Sequence, residues 1–331
     1  MANLSTSYLG LTLKNPLIAA SSGITSKVKN LIELEKKGVS AIVLKSLFEE
    51  EIVTEMKDNF NKMGNQGFLY PETLDFYEHD TLEEESSVKY LELIREAKKN
   101  IEIPVIASIN CVTAGQWTYF PKEIQNAGAD ALELNLFILP TDLKRSSQEN
   151  EQVYFSIIEE VKKQVSIPIA VKTSYYFSNL LQMLTRISES GIQGLVMFNR
   201  FYSPDIDIEK LEITNGYVLS HPEDLSLTLR WIAVLAERVS CDLAATTGIH
   251  GSKELIKVLL AGANVGEIAS VLYSQGFDSI TKMLQELDSW MEVKSYASID
   301  DFRGILSQAN ISSPAAYERV QFMKYFKGYK E

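Results

Sequence analysis

Two lysines and two asparagines stand at the ends of apolar runs. Lys45 follows SAIVL (40–44), and Lys172 closes IPIAVK (167–172). An ammonium is costly to bury there without a partner. Facing one mouth, the two would make a locally cationic site; otherwise they snorkel to the surface. Asn135 interrupts ALELNL (131–136), and Asn199 follows VMF. A carboxamide offers donors and an acceptor to the edge of a heterocycle, or else bonds to the surrounding backbone. Glu133 lies two residues before Asn135, so both point to one side of a strand, where Glu133 can anchor a neighbouring lysine.

The segment AATTGIHGSKELIKVLLAGANVGEIASVLY (244–273) carries the strongest local signal. A strand ends in a small glycine-bearing turn, and a helix begins near Ser252. The next strand ends in Ala269-Ser270. Backbone N–H groups around Thr247, Gly248 and Ile249, and around Ala269 and Ser270, can cradle a phosphate. The alternative is an ordinary glycine turn. His79, His221 and His250 lie in three different regions and form no HxH or HExxH pair, so no metal centre is expected. There is no GxSxG elbow.

Those residues need elements to hold them. LIAA (17–20), SAIVL (40–44), PVIASI (104–109), ALELNL (131–136), IPIAVK (167–172), GLVMF (194–198), CDLAAT (241–246) and VGEIA (265–269) read as short strands. They are rich in Val, Ile, Leu and Ala and mostly lack strict alternation, as strands covered on both faces do. Amphipathic helices are predicted at about 27–38, 84–99, 118–128, 150–165, 178–190, 223–238, 252–262 and 274–291. Gly38, Gly128, Gly191 and Gly262 sit where a left-handed helix end is needed. Lysines crowd the last turns, complementing the helix dipole.

Eight strand–helix units at this spacing point to an α/β chain folded as a closed (β/α)₈ TIM barrel. A doubly wound open sheet is second, and no GxGxxG follows any strand to support it. The first residues read as a hairpin turning at Leu9-Gly10, placed to cap the N-terminal mouth. Two connections exceed the minimal repeat, 46–83 and 199–222, and both follow the C-terminal end of a strand, where barrels keep their chemistry. The 331 residues read as one domain, a barrel over about 15–292 and a helical tail over about 293–331.

The formal charge of −12 disfavours nucleic acid and anionic membrane as partners. The two cysteines, Cys111 and Cys241, form no disulfide framework. MANLSTSYLG has neither the basic nor the apolar region of a signal peptide, and no apolar run reaches the ~20 residues of a membrane span. A cytoplasmic protein is the expectation.

The motifs in order resemble the dihydroorotate dehydrogenase family, its cytosolic FMN-containing branch, over about residues 4–275. NPLIAASSGIT (15–25) resembles the family's opening Asn-Pro…Ala-Ser-Gly stretch, and Lys45-Ser46 its lysine after the second strand. Asn61-Lys62-Met63-Gly64 resembles its substrate loop, and Glu133-Leu134-Asn135-Leu136 the first half of its Glu-Leu-Asn segment. Val171-Lys172 and Asn199 match its flavin lysine and its asparagine after strand six. Thr247-Gly248-Ile249 and Ala269-Ser270 take the places of its phosphate-gripping turns.

The resemblance implies FMN as cofactor. Ala20 and Ser21 would lie along the flavin, Lys45 and Lys172 at its polar edge, and Gly248, Ala269 and Ser270, with Thr247 beside them, at its phosphate. Asn61, Asn135 and Asn199, in a loop that includes Met63 and Gly64, would bind a planar carboxylate such as dihydroorotate. The sequence departs from the family where its base should stand. The cysteine or serine of the loop after strand four is Ile138, and the segment's second asparagine is Pro140. Losing a base costs on the order of 10²–10⁴-fold in rate. Cys111, Thr141, Asp142 and Tyr175 are the candidate substitutes. The first phosphate-turn glycine is Thr247, and the last turn's glycine is Ala269; both fit if their backbone angles are ordinary.

Three readings follow. The first is an FMN-dependent dehydrogenase acting on CH–CH bonds, converting dihydroorotate to orotate in pyrimidine biosynthesis. The second is a flavoprotein of different substrate, or one without catalysis. The third is a barrel that binds a phosphorylated metabolite without flavin. Fumarate is the simpler acceptor by resemblance. NAD would need iron–sulfur cysteines from another subunit. Family members of this branch are often dimers, so a homodimer is expected, with 199–222 as the contact.

Overall fold

Eight short strands alternate with helices: β1 (Leu17–Ala19), α1 (Val28–Lys37), β2 (Ala41–Val43), α2 (Ser86–Asn100), β3 (Val105–Cys111), α3 (Phe120–Asn126), β4 (Ala131–Leu136), α4 (Ser147–Lys162), β5 (Ile169–Thr173), α5 (Leu180–Glu189), β6 (Gly194–Met197), α6 (Leu225–Leu235), β7 (Asp242–Thr246), α7 (Ser252–Ala261) and β8 (Val265–Ile268). The computed structural model describes residues 2–48, 86–111, 120–200 and 203–318. The side chain of Cys111 lies outside that description. Each strand pairs in parallel with the next, and β8 returns to β1 through Gly266–Leu17, Glu267–Ile18 and Ile268–Ala19. The sheet is a closed eight-stranded parallel barrel with helices between its strands, as the eight apolar runs predict.

The reasons for the elements are local. Gly38, Gly128, Gly191 and Gly262 have φ of 113°, 101°, 84° and 118°, the left-handed region that lets a helix stop and its chain turn into the next strand. α4 starts earlier than the apolar pattern suggests because Ser146 and Glu149 form a capping box: the Glu149 N–H donates to Ser146 Oγ at 3.2 Å, and Glu149 Oε2 accepts the Ser146 N–H at 2.6 Å. The helix predicted at 274–291 is two, α8 (Ser270–Gln275) and α9 (Asp278–Lys294), parted at Gly276 with φ of 76°.

The N-terminal hairpin pairs Thr6–Tyr8 with Leu11–Leu13 and turns at Leu9-Gly10, φ 56° and 72°. Tyr8, Leu9 and Leu13 plug the lower barrel, packing on Ile18, Ala41, Val43, Ile106, Ala131, Ala170, Val196, Ala244 and Val265. The main core lies between barrel and helices. The long connection after β6 is not an irregular loop. Pro204–Asp207 pairs antiparallel with Glu212–Asn215, with Ile206 opposite Ile213. Of the connection at 46–83, only 46–48 lie within the described residues, and Leu47–Phe48 add a short pairing to the top of β3. The described tail holds a 3₁₀ turn at Ile299–Asp301 and a short helix at Ala315–Glu318. Among the described residues no helix is long and apolar enough to cross a membrane.

Candidate active site

The strand alternation sets what faces inward. Ser108 on β3 is in register with Glu133 on β4, and Asn135 on β4 with Lys172 on β5. Two residues below them the same strands carry Ile106, Ala131 and Ala170 in the aliphatic plug. A polar layer therefore lies directly on an apolar one.

Lys172 is the centre of that layer. Its Nζ is 3.0 Å from Glu267 Oε2 and 3.6 Å from Glu133 Oε1, and all three side chains are buried. Burial by itself would push the ammonium towards neutrality, but the two carboxylates outweigh it and hold the Lys172 pKa above the usual lysine range. Burial pushes Glu133 up to about 8, with Glu267 beside it adding to the rise and Lys172 opposing it. Glu267 Oε1 has no hydrogen-bond donor. Two carboxyl groups in contact supply such a donor only when one of them is protonated, so the cluster is neutral with one added proton.

This layer floors a cavity of about 430 Å³ at the C-terminal mouth, a size suited to a small molecule or cofactor. Of the residues marked in the sequence, Ala20, Ser21, Asn135, Lys172, Asn199, Thr247, Gly248, Ala269 and Ser270 all line it. Beyond β6, after a cis peptide between Met197 and Phe198, Asn199 Nδ2 donates to Asn135 Oδ1 at 2.5 Å. Phe198 and Ile268 give the cavity apolar wall.

The two turns meet at the other end. Gly248 has φ of 83°, and a Cβ there would lie 2.4 Å from the Leu225 nitrogen, so only glycine fits between turn and α6. Its N–H donates to Ser220 Oγ at 3.4 Å, and the Ser220 N–H donates to Ser270 Oγ at 3.0 Å. Ser220 Oγ also meets His250 Nε2 at 3.1 Å. Thr247 is not ordinary: its φ of 72° is left-handed, and its hydroxyl donates to the Phe198 carbonyl at 3.3 Å. A β-branched residue in that region is strained. Ala269, with φ of −137°, avoids that region.

Other marked residues lie elsewhere. Lys45 is exposed and does not line the cavity, so the paired-lysine mouth is not formed. Leu44 and Ser46 on either side of it are buried, and the chain turns its lysine outward between them. The second cation in the wall is Arg200, whose guanidinium donates to the carbonyls of Tyr217 and Val218 at 2.6 Å each. Ile138 lines a separate cavity of about 370 Å³ with Pro140, Tyr154 and Tyr175. Thr141 and Asp142 are exposed. Tyr175 stacks edge-on to Phe198, and its hydroxyl contact with Tyr176, together with burial, raises it to about 12, which suits a donor rather than a base. Asn61, Met63 and Gly64 lie outside the described residues, as does the side chain of Cys111.

Sequence reasoning missed Glu267, Arg200, Ser220 and Ser108. Glu267 had a signal: a lone acid inside VGEIA is costly unless paired. Arg200 and Ser220 had none, because they flank a hairpin that composition disguised as loop.

A closed (β/α)₈ barrel with a cavity at its C-terminal mouth, floored by a buried lysine and two carboxyl groups, has the architecture of an enzyme. More narrowly, residues 3–291 match dihydroorotate dehydrogenase, and the chain belongs to that family, whose members are oxidoreductases acting on CH–CH bonds. It is 25% identical over 316 residues to the catalytic subunit of dihydroorotate dehydrogenase B (NAD(+)) from Thermoplasma acidophilum, covering 92% of this chain and 99% of the relative. The subunit of the same name from Methanocaldococcus jannaschii is 24% identical over 303 residues, 87% and 94% of the two chains. That from Pyrococcus furiosus is 23% identical over 311 residues, 89% and 96%.

Proposed function

We propose that this chain is an FMN-dependent oxidoreductase that acts on the CH–CH bond of a small planar carboxylate, with dihydroorotate as the substrate to test first. This is a step of pyrimidine biosynthesis. The observation that carries the reading is the Lys172 ammonium, held between Glu133 and Glu267 and opening on a cavity shared with Asn135 and Asn199. The donor set fits a flat heterocycle with a phosphate tail: an ammonium and two carboxamides at one end, a glycine turn and serine hydroxyls at the other.

FMN, when bound, supplies a hydride acceptor. Lys172 offers a fixed positive charge to the ring's polar edge, preorganised by its two carboxylates. Ala20 and Ser21 lie along the ring. Thr247, Gly248, Ala269 and Ser270 hold the phosphate. Asn135 and Asn199 orient the substrate through the amide atoms left free by their mutual bond. Asn61, Met63 and Gly64 complete the substrate side.

A second reading, a flavoprotein of different substrate, is favoured by Ile138, which can take no proton and faces the other cavity. The purified chain is titrated with FMN while the flavin absorption is followed. Dihydroorotate is then added without oxygen. Bleaching supports the first reading. Bound flavin that dithionite reduces and dihydroorotate does not supports the second. No bound flavin sinks both.

The chain is proposed to act as one domain, in the cytoplasm and as a homodimer. The hairpin after β6 supports the dimer: Ile206, Ile208, Leu211 and Ile213 are 65–86% exposed, with Asp207 and Glu212 paired on the opposite face. Two copies related by a two-fold axis would cover each other's apolar face. Ile213→Lys is expected to sediment as a monomer where the parent chain sediments as a dimer. Electron transfer to NAD, as the relatives' names have it for them, would need a cluster-bearing partner, since two cysteines cannot hold one.

A further inference from the structure

The cavity and the buried carboxyl pair are joined by hydroxyl groups. Ser21 lines the cavity, and its Oγ is 3.0 Å from Ser46 Oγ. Ser46 Oγ is 2.8 Å from Ser108 Oγ, and Ser108 Oγ donates to Glu133 Oε1 at 3.4 Å. Ser46, Ser108 and Glu133 are buried. The path runs across three neighbouring strand ends and into the barrel.

Its partners hold it in place. The Ser46 N–H donates to Ser21 Oγ at 2.9 Å. Tyr90 on α2 grips the Ser108 backbone twice, accepting its N–H at 2.7 Å and donating to its carbonyl at 2.9 Å. The chain also has a direction. Glu133 Oε1 accepts from Ser108, the proton that Glu133 holds lying on its other oxygen, so the Ser46 proton points to Ser108 and the Ser21 proton to Ser46. Ser21 Oγ then has one lone pair on the Ser46 N–H and the other turned to the cavity.

We propose that Ser21 is the catalytic proton acceptor of this cavity, and that Ser46, Ser108 and Glu133 relay the proton inward to the Glu133–Glu267 carboxyl pair. The proposal rests on the oxidoreductase reading, in which a substrate C–H bond must lose a proton and Ile138 cannot receive it. As that bond breaks, its electron pair forms the new C=C bond, while hydride leaves the adjacent carbon for the FMN proposed above. An O–H bond forms at Ser21. Its former proton passes to Ser46, that of Ser46 to Ser108, and that of Ser108 to Glu133, while the proton Glu133 already holds moves to Glu267. The serines and Glu133 end as they began, and the Glu267 carboxylate has become a carboxylic acid.

The groups facing Glu133 suit a resting proton. Lys172 from β5 is one positive charge between two carboxyls, and Glu267 from β8 is the second of these. Tyr8 from the N-terminal hairpin and Tyr90 from α2, whose phenols the Glu133 charge raises further, stay protonated.

The test needs no cofactor. The full chain is mixed into heavy water and the Glu133 carboxylic acid stretch, identified by its loss in Glu133→Gln, is followed by infrared spectroscopy. Ser108→Ala cuts the path without touching the cavity wall, and is expected to slow the deuterium shift at least about 10-fold. Ser46→Ala, a second cut, guards against a folding defect in the first and is expected to do the same. Exchange at the parent rate in both folded variants, or no carboxylic acid signal that Glu133→Gln removes, overturns the relay. In the FMN-loaded chain, single-turnover reduction by dihydroorotate is expected to slow in Ser21→Ala by about 100-fold or more, in line with the loss of a general base. An unchanged rate overturns the assignment of Ser21. If the parent chain is not reduced by dihydroorotate while the exchange still depends on Ser108, the relay stands and the substrate reading falls.

Discussion

The lower and upper halves of the barrel interior are built on the same strands and differ by one inward step. Ile106 gives way to Ser108, Ala131 to Glu133, Ala170 to Lys172 and Val265 to Glu267. Below, Tyr8, Leu9 and Leu13 seal an aliphatic layer. Above, two acids and a base lie in contact under an open mouth. Alternation decides only that a side chain faces inward. Height along the strand decides whether it packs or reacts, which is why the chemistry collects at the C-terminal ends.

The sharpest test of that contrast removes the cation. Lys172→Met leaves Glu133 and Glu267 facing each other in the interior with no counter-charge. Breaking a buried pair in this way costs about 3–5 kcal/mol. Denaturant unfolding is expected to show that loss, and FMN titration the loss of cofactor affinity. Ile106→Ala, two residues below Ser108, is expected to cost about 2–5 kcal/mol by leaving a cavity, yet to leave the FMN affinity of the folded protein unchanged. Equal damage to affinity by both variants would erase the distinction between the halves.

The pH dependence of stability separates them next. The folded pKa of Glu133 is raised to about 8. Between the ordinary carboxylate range and that value, the folded protein holds a proton that the unfolded chain has lost. Stability attributable to this group therefore falls as pH rises through the window, by up to about 1.4 kcal/mol per pH unit. Lys172 is also shifted upward, so its contribution is complete below the usual lysine range and constant here. Glu133→Gln is expected to flatten the slope of unfolding free energy between about pH 5 and 8. A slope unchanged by Glu133→Gln would mean that the upper layer carries no resting proton.

How much of this was legible in the sequence follows from the same physics. The eight strands were plain because parallel strands buried on both faces read as unbroken apolar runs. Glu133, Asn135 and Lys172 stood out as polar breaks in such runs. The hairpin after β6 did not, because SPDIDIEKLEITN is rich in Asp, Glu and Pro, which are poor in strands, and its isoleucines meet no core. The outward turn of Lys45 was not legible either: its runs give the strand end but not the last side chain's direction. The hydroxyl path was hidden for another reason. Ser21, Ser46 and Ser108 are far apart in sequence, and only the closed barrel brings their oxygens within 3 Å of one another in turn.

The smallest expected effect lies at the rim, where the turn after β7 combines two left-handed residues. Gly248 adopts its φ without cost, but Thr247 does so with a branched side chain. Relieving that residue by Thr247→Gly removes about 1–2 kcal/mol of strain. Against it stand the larger freedom of glycine in the unfolded chain, up to about 1 kcal/mol, and the hydrogen bond to the Phe198 carbonyl. At 3.3 Å that bond is long, so its loss costs less than the roughly 1 kcal/mol of a good one. The net change in thermal stability is therefore expected to be within about 1 kcal/mol of zero. The FMN affinity should not share that balance. Thr247 holds the turn against the chain leaving β6, which carries Asn199, and freeing it loosens both ends of the cavity together. A variant of parent stability with weaker FMN binding would show that the strain is kept for the site. Parent affinity would show that the threonine serves the barrel's packing alone, as the residues of the lower half do.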